Sequence, residues 1–211
     1  ESLADGRPSK DNFKGVPFYR LKHKNRNIIV GCAVGHLFGL AEKEKKKGFE
    51  YPVFDIEWVP TYAVSKGAAF SRNYFETLKK LAKECSAFTV ATDYDVEGEV
   101  IGLNIVRFIC NKKDARRMKF STLTKPDIVA AYDAASDHLD WGQAMAGETR
   151  HFLDYFYGIN LSRALTKAIT AAGTFKILST GRVQGPALKI IVDREREIKA
   201  FKSVPFWQVE L

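Results

Sequence analysis

Apolar and β-branched residues dominate positions 17–22 and 27–34, and the polar stretch KHKNR between them predicts two strands joined by a turn. Positions 41–67 carry Pro52, Pro60 and a run of charge, so this segment reads as loop. Ser71 then stands where an N-cap belongs. Behind it Tyr74, Leu78 and Leu81 recur at helical spacing, with charges on the opposite face. AFTVAT at 87–92 is a short apolar run of the kind buried in a parallel sheet, and GEVIGLNIVRFIC after it has the length and period of a helix. RMKFS is a further strand, and KPDIVAAYDAA a helix with Pro126 in its first turn.

Strand and helix in alternation predict an α/β fold with a parallel sheet flanked by helices. After about Asp140 the pattern changes. A long helix is expected from Gln143 to about Thr170, then a glycine-bearing loop, then a second helix from about Val183 to Lys199. The boundary falls in ASDHLDWG at 135–142, giving one domain over 1–138 and the start of a mainly helical one over 139–211. No internal repeat or low-complexity tract is visible.

Composition narrows the partners. A formal charge of +8 over 211 residues favours a polyanion, because clustered Lys and Arg displace counterions condensed on phosphates. The charge is uneven, running through Lys43, Lys45, Lys46 and Lys47 and again through Arg194, Arg196 and Lys199, with Glu interleaved. The first run reads as a solvated loop. Cys32, Cys85 and Cys110 lie far apart in apolar surroundings, so neither a CxxC zinc site nor a disulfide framework is signalled, and a reducing compartment follows. With no apolar run near the ~18 residues of a membrane span and no signal peptide, the expectation is a soluble, cytoplasmic protein. The opening ESLADG reads as the end of a helix stopped by Gly6, which predicts a segment upstream.

The chemistry concentrates in FTVATDYDVEGEVIG. Asp93, Asp95 and Glu97 are two apart just beyond an apolar strand, and an extended backbone would point all three carboxylates to one side. That edge is where open α/β sheets place ligands. Carboxylates so close repel unless protonated or bridged by a hard cation, and Mg²⁺ prefers oxygen ligands with several waters retained. Gly98 would let the chain turn tightly into the helix. A calcium EF-hand also begins D-x-D with Gly at its sixth position, but its twelfth position here is Asn104 rather than Glu, and a strand precedes it. The other reading is a solvated acidic turn, which its place between a buried strand and a helix argues against.

ATDYDVEGEVIG resembles the DxDxE signature of the Toprim domain in the form used by type IA DNA topoisomerases. VGCAVGHLFGL resembles the strand and Gly-His turn that precede it in archaeal-type members. RHFLDYFYGINLSRALT and LSTGRVQGPALKIIVDREREIKAF resemble successive segments of the same enzymes' central domain, so the likeness runs in order along nearly the whole chain. It implies a Toprim-type sheet followed by a helical segment, with Asp93, Asp95 and Glu97 as catalytic residues holding Mg²⁺. Primases and nucleases with a Toprim domain share the acidic triplet without the last two segments.

STGRVQGP is a small turn entering a helix, where backbone N–H groups and the positive end of the helix dipole suit a phosphate. Arg182 can add a charge-assisted bond, and Gln184 can reach a phosphate or a base edge. By residues alone this and a plain helix start, with Pro186 in the first turn, fit equally. The resemblance implies a single-stranded DNA contact through Ser179, Thr180, Gly181, Arg182, Val183 and Gln184. Arg150 and Asp154 lie at i and i+4, a spacing that permits an ion pair as readily as a catalytic role. The resemblance lines the DNA channel with both, together with His151, and adds His36 as a DNA neighbour. Where the family often has a second Arg this chain has Tyr155, while Phe152 and Phe156 read as core.

Such enzymes cut one DNA strand with a tyrosine, hold the 5′ phosphate covalently, pass another strand and reseal without ATP. No tyrosine here lies in a segment resembling the nucleophile's. A first strand with an active-site Glu and Lys is expected upstream, and the tyrosine domain downstream. The expected partners are DNA, chiefly single-stranded, and the remaining domains of the same polypeptide. The topoisomerase portion of a reverse gyrase and a noncatalytic Toprim binding module also fit these residues.

Overall fold

The computed structural model describes residues 1–44 and 50–210. It is a mixed α/β structure whose described residues fall into two compact units. The first comprises Glu1–Glu44 and Asp55–Phe152, and the second the described residues of 45–54 and 153–211. The lysine run at Lys45, Lys46 and Lys47 lies outside the described residues.

In the first unit, β1 (Ser9–Phe13), β2 (Val16–His23) and β3 (Arg26–Val30) form an antiparallel sheet in that order. The expected hairpin is present, closed by Lys24 and Asn25 at φ 46° and 63°. Positive φ at both central residues matches the right-handed twist of the flanking strands, which sets the register at His23 opposite Arg26. Strand β3 stops at Val30, short of the expected residue 34. ESLADG forms a turn closed by Ala4 N–H on the Glu1 carbonyl, not a helix end.

The region read as loop holds β5 (Ile56–Pro60), which pairs antiparallel with β4 (Phe38–Glu42), a strand that runs only into its first two residues, and the short α1 (Thr61–Val64) follows. Pro60 sits at the last position of β5, where proline costs the ladder little, so it did not exclude a strand. Ser71 opens α2 (Ser71–Ala82) but does not cap it. Its hydroxyl is buried, donates to the Ala68 carbonyl at 2.7 Å and faces Thr61 Oγ1 at 3.0 Å.

Among the described residues the parallel pairing expected of the sheet is confined to β6 (Thr89–Val90) and β7 (Arg116–Arg117), with α3 (Val96–Phe108) between them in the chain. Helix α3 is buried on two faces. Leu103 and Val106 pack with Val90, Ala115, Leu139 and Ala144, while Ile105 and the following Ile109 join Leu37, Phe38 and Trp58. The strand end that precedes α3 is therefore held against a buried core cluster of the first unit. Next comes α4 (Lys125–Asp133), capped by Thr124 with Pro126 in its first turn.

Helix α5 (Trp141–Ala171) begins in the first unit and continues in the second. In the second unit its end is followed by Gly173 at φ +89°, a loop, and α6 (Gln184–Ala200). Ser162 and Thr166, one turn apart on α5, stitch the loop alongside the helix. Ser162 Oγ accepts from Thr180 N–H at 3.0 Å, and Thr166 Oγ1 from Leu178 N–H at 3.1 Å. No described helix is long and apolar enough to cross a membrane.

Candidate functional site

The acidic turn is built on its backbone. Arg117, from β7, has a side chain fully withdrawn from solvent. Its guanidinium donates to the carbonyls of Thr92 at 2.9 Å, Asp93 at 2.7 Å and Met118 at 2.8 Å. The remaining charge is met by Glu99 at 2.7 Å, itself buried and also accepting from Asp140 N–H at 2.9 Å. A buried guanidinium is tolerable only when its donors are satisfied and its charge is matched, and both conditions hold here. The chain from Thr92 to Asp93 is thus pinned by an internal cation, with the carboxylate of Asp93 left exposed.

Asp95 is extended and caps α3, its Oδ1 accepting from Gly98 N–H at 2.7 Å. The backbone becomes helical at Val96, so period-two spacing governs Asp93 and Asp95 but not Glu97, which leaves on the first turn of α3. Among the described residues Asp93 and Asp95 do not join a tight ligand group with Glu97. This corrects the expectation of three carboxylates converging from one extended strand. Gly98 is needed for a different reason from the one expected: its φ is not positive, but a Cβ there would lie 2.2 Å from the Asp93 carbonyl oxygen.

Glu97 instead gathers three cationic or hydrogen-bonding partners. Its Oε2 lies 3.1 Å from His36 Nε2 and 2.9 Å from His151 Nε2, and its Oε1 3.3 Å from Arg150 Nη1. The two imidazole rings sit 4.9 Å apart, and Trp58 lies 5.5 Å from the ring of His151. His36 reaches this point because Gly35 takes φ +74°, a conformation that bends the chain after β3. Burial lowers the pKa of His36 below its ordinary value, and the neighbouring His151 pushes the same way, against the pull of Glu97. Trp58 and Arg107 both donate to Glu148 Oε1, fixing α5 beside β5 and α3. Phe152 lies 6.1 Å from the Trp58 ring.

In the second unit, Arg182 and Asp154 form a bidentate pair at 2.6 and 3.2 Å. Asp154, Ser162, Ser179 and Thr180 help line an open cleft of about 550 Å³. Gly181 and Val183 lead into α6, whose first residue is Gln184 and whose N-terminus no side chain caps. Within its first turn Gly185 and Ala187 N–H donate to the carbonyls of Gly181 and Val183 at 3.3 and 3.1 Å, and Pro186 has no N–H to give.

Of the residues expected from sequence, the structure brings His36, Glu97, Arg150 and His151 together, and places Asp154 with Arg182. Arg117, Glu99 and Trp58 escaped that reading. The signal for Glu99 was there, as an acid followed at once by the apolar run VIGL, where only a buried partner makes a charge acceptable.

Comparison with known proteins agrees with this architecture. A Toprim domain family model matches residues 21–123, and a DNA topoisomerase family model matches 138–211. The DNA topoisomerase 1 of Methanocaldococcus jannaschii is 49% identical over 97% of this chain and 27% of its own length. That of Pyrococcus horikoshii is 48% identical over the whole chain and 31% of its own length. The solved structure of full-length topoisomerase I from Thermotoga maritima superposes with a TM-score of 0.56 at 29% identity, covering 81% of this chain and 27% of that one. The chain therefore spans less than a third of the length of these relatives.

Proposed function

The chain belongs to the type IA DNA topoisomerases, and from that premise we propose that it carries the metal-binding Toprim domain, over 1–138, and the start of the DNA-gripping helical domain, over 139–211. The parent enzyme cuts and reseals one DNA strand through a 5′-phosphotyrosine without ATP. The observation that carries this reading is the acidic turn at the end of β6, clamped by Arg117 and set beside the cluster on Glu97.

The donor chemistry fits Mg²⁺. Asp93 and Asp95 present exposed carboxylates on a fixed backbone, the hard oxygen ligands that a largely hydrated ion takes up, and Glu97, on the first turn of α3, would complete the shell through retained water. When bound, the ion positions the scissile phosphate and the 3′ hydroxyl for resealing. Arg150 balances the charge of Glu97 and offers donors to a backbone phosphate. His36 and His151 hold the Glu97 carboxylate in place from its other oxygen. In the second unit Ser179 to Gln184 provide the single-stranded DNA contact, with Arg182 as its cation.

Helix α6 leaves Leu188, Ile190, Ile191 and Ile198 more than half exposed, a surface for the remaining domains of the same polypeptide to cover. By themselves the 211 residues bind Mg²⁺ weakly and single-stranded DNA, and relax no supercoils. The test is Asp93→Asn with Asp95→Asn in the complete enzyme, where resealing of cleaved DNA is expected to fail. Unchanged Mg²⁺ dependence there, or relaxation by the 211-residue chain alone, contradicts the reading.

A further inference from the structure

The cluster on Glu97 has a donor set unlike that of the acidic turn. Two imidazole nitrogens, His36 Nε2 and His151 Nε2, converge on one carboxylate oxygen, Glu97 Oε2, and the three ligand atoms lie within 4.8 Å of one another. All three side chains are half-buried, accessible enough for an ion to enter and shielded enough to retain it. Two nitrogens and one carboxylate suit a borderline-soft dication such as Zn²⁺, whereas Mg²⁺ takes oxygen donors.

The spacing agrees. Tetrahedral zinc with bonds of ~2.0–2.1 Å holds its ligand atoms about 3.3 Å apart. The two N···O separations, 3.1 and 2.9 Å, need to open only by a few tenths of an ångström. Three protein ligands leave a fourth position for water or a phosphate oxygen.

We propose that His36, Glu97 and His151 form a second divalent-metal site, selective for zinc-like ions, next to the Mg²⁺-binding acids. Its position gives it a consequence. An ion held there takes Glu97 from the Mg²⁺ set and adds positive charge beside Arg150, so zinc-like ions compete with Mg²⁺ at this centre. Neither residue that distinguishes this site, His36 or His151, belongs to the Mg²⁺ set, so the two sites can fail separately.

The test uses Co²⁺, which reports its own coordination, titrated into the 211-residue chain. The expected result is one saturable equivalent with the intense visible bands of a four-coordinate ion and quenching of Trp58, which neighbours His151. Substitutions His36→Gln and His151→Gln, each checked for unchanged circular dichroism, are expected to weaken binding by more than about tenfold. The Asp93→Asn, Asp95→Asn protein is expected to keep it. Binding that survives both histidine variants, or is lost in the aspartate variant, overturns the proposal. So does the strong near-ultraviolet band of a thiolate ligand, which would place the ion on Cys32, Cys85 or Cys110, or the absence of a saturable site.

Discussion

Arg117 and Glu99 face each other at 2.7 Å with neither side chain exposed to solvent, and through this pair the acidic turn is tied to the middle of the fold. Removing one partner leaves an uncompensated buried charge, at a cost of roughly 3–5 kcal/mol. Arg117→Met is therefore expected to lower the urea midpoint of the first unit sharply. Adding Glu99→Leu should recover much of the loss, because the stranded charge is gone. The double variant should still bind Mg²⁺ poorly, since the carbonyls of Thr92 and Asp93 have lost their donors.

Gly98→Ala tests the same turn by steric means. The new methyl would meet the backbone oxygen of Asp93 at 2.2 Å, which cannot swing away as a side chain could. A loss of about 1–3 kcal/mol in chemical denaturation is expected, with weaker Mg²⁺ binding measured by calorimetry.

Much of this was legible in the residues, and what was not has identifiable causes. Helix α3 was plain from its period, and its N-terminal acids from their place after a buried strand. The convergence of His36 and His151 on Glu97 was not, because these residues come from a loop, a helix start and a distant helix that only the tertiary fold brings together. Likewise Arg117 opens the predicted strand RMKFS, and nothing in that run marks it as buried. Its burial comes from its tertiary partners, the carbonyls of Thr92 and Asp93 and the carboxylate of Glu99, which the pairing of β7 with β6 brings to it. The pair β4 and β5 was hidden because Pro60 closes a strand that proline punctuation alone reads as loop.

Asp114 ties the loop before β7 to the start of α5, and gives a pH prediction. Burial alone would raise its pKa, but hydrogen bonds from Leu139 N–H, His138, Ala115 N–H and Trp141 outweigh burial and hold it at about 2, against an ordinary 3.8. A depressed carboxyl contributes stability that is fully present above the unfolded pKa and is lost as pH falls through the folded one. The window is thus pH 3.8 down to about 2. With solvent screening allowed for, the contribution is on the order of 1–2 kcal/mol. Asp114→Asn should destabilise by that amount at neutral pH in thermal melts, with the difference closing as the pH approaches 2.

The bidentate pair of Arg182 with Asp154 makes the cation's charge partly spoken for. Asp154→Asn is expected to tighten binding of an oligothymidylate, and Arg182→Ala to weaken it. For Arg182→Ala the slope of log affinity against log salt should fall by about 0.7, the value for one phosphate contact on a single strand. Fluorescence anisotropy over a salt series measures both.

The most direct measurement is a Mg²⁺ titration of the ¹⁵N-labelled chain followed by amide chemical shifts. Saturable shifts are expected at residues 92–98, abolished by Asp93→Asn with Asp95→Asn while the fold is retained. Shifts that spread over surface carboxylates without saturating, or that persist at 92–98 in the substituted chain, would contradict the assignment of the acidic turn as the Mg²⁺ site.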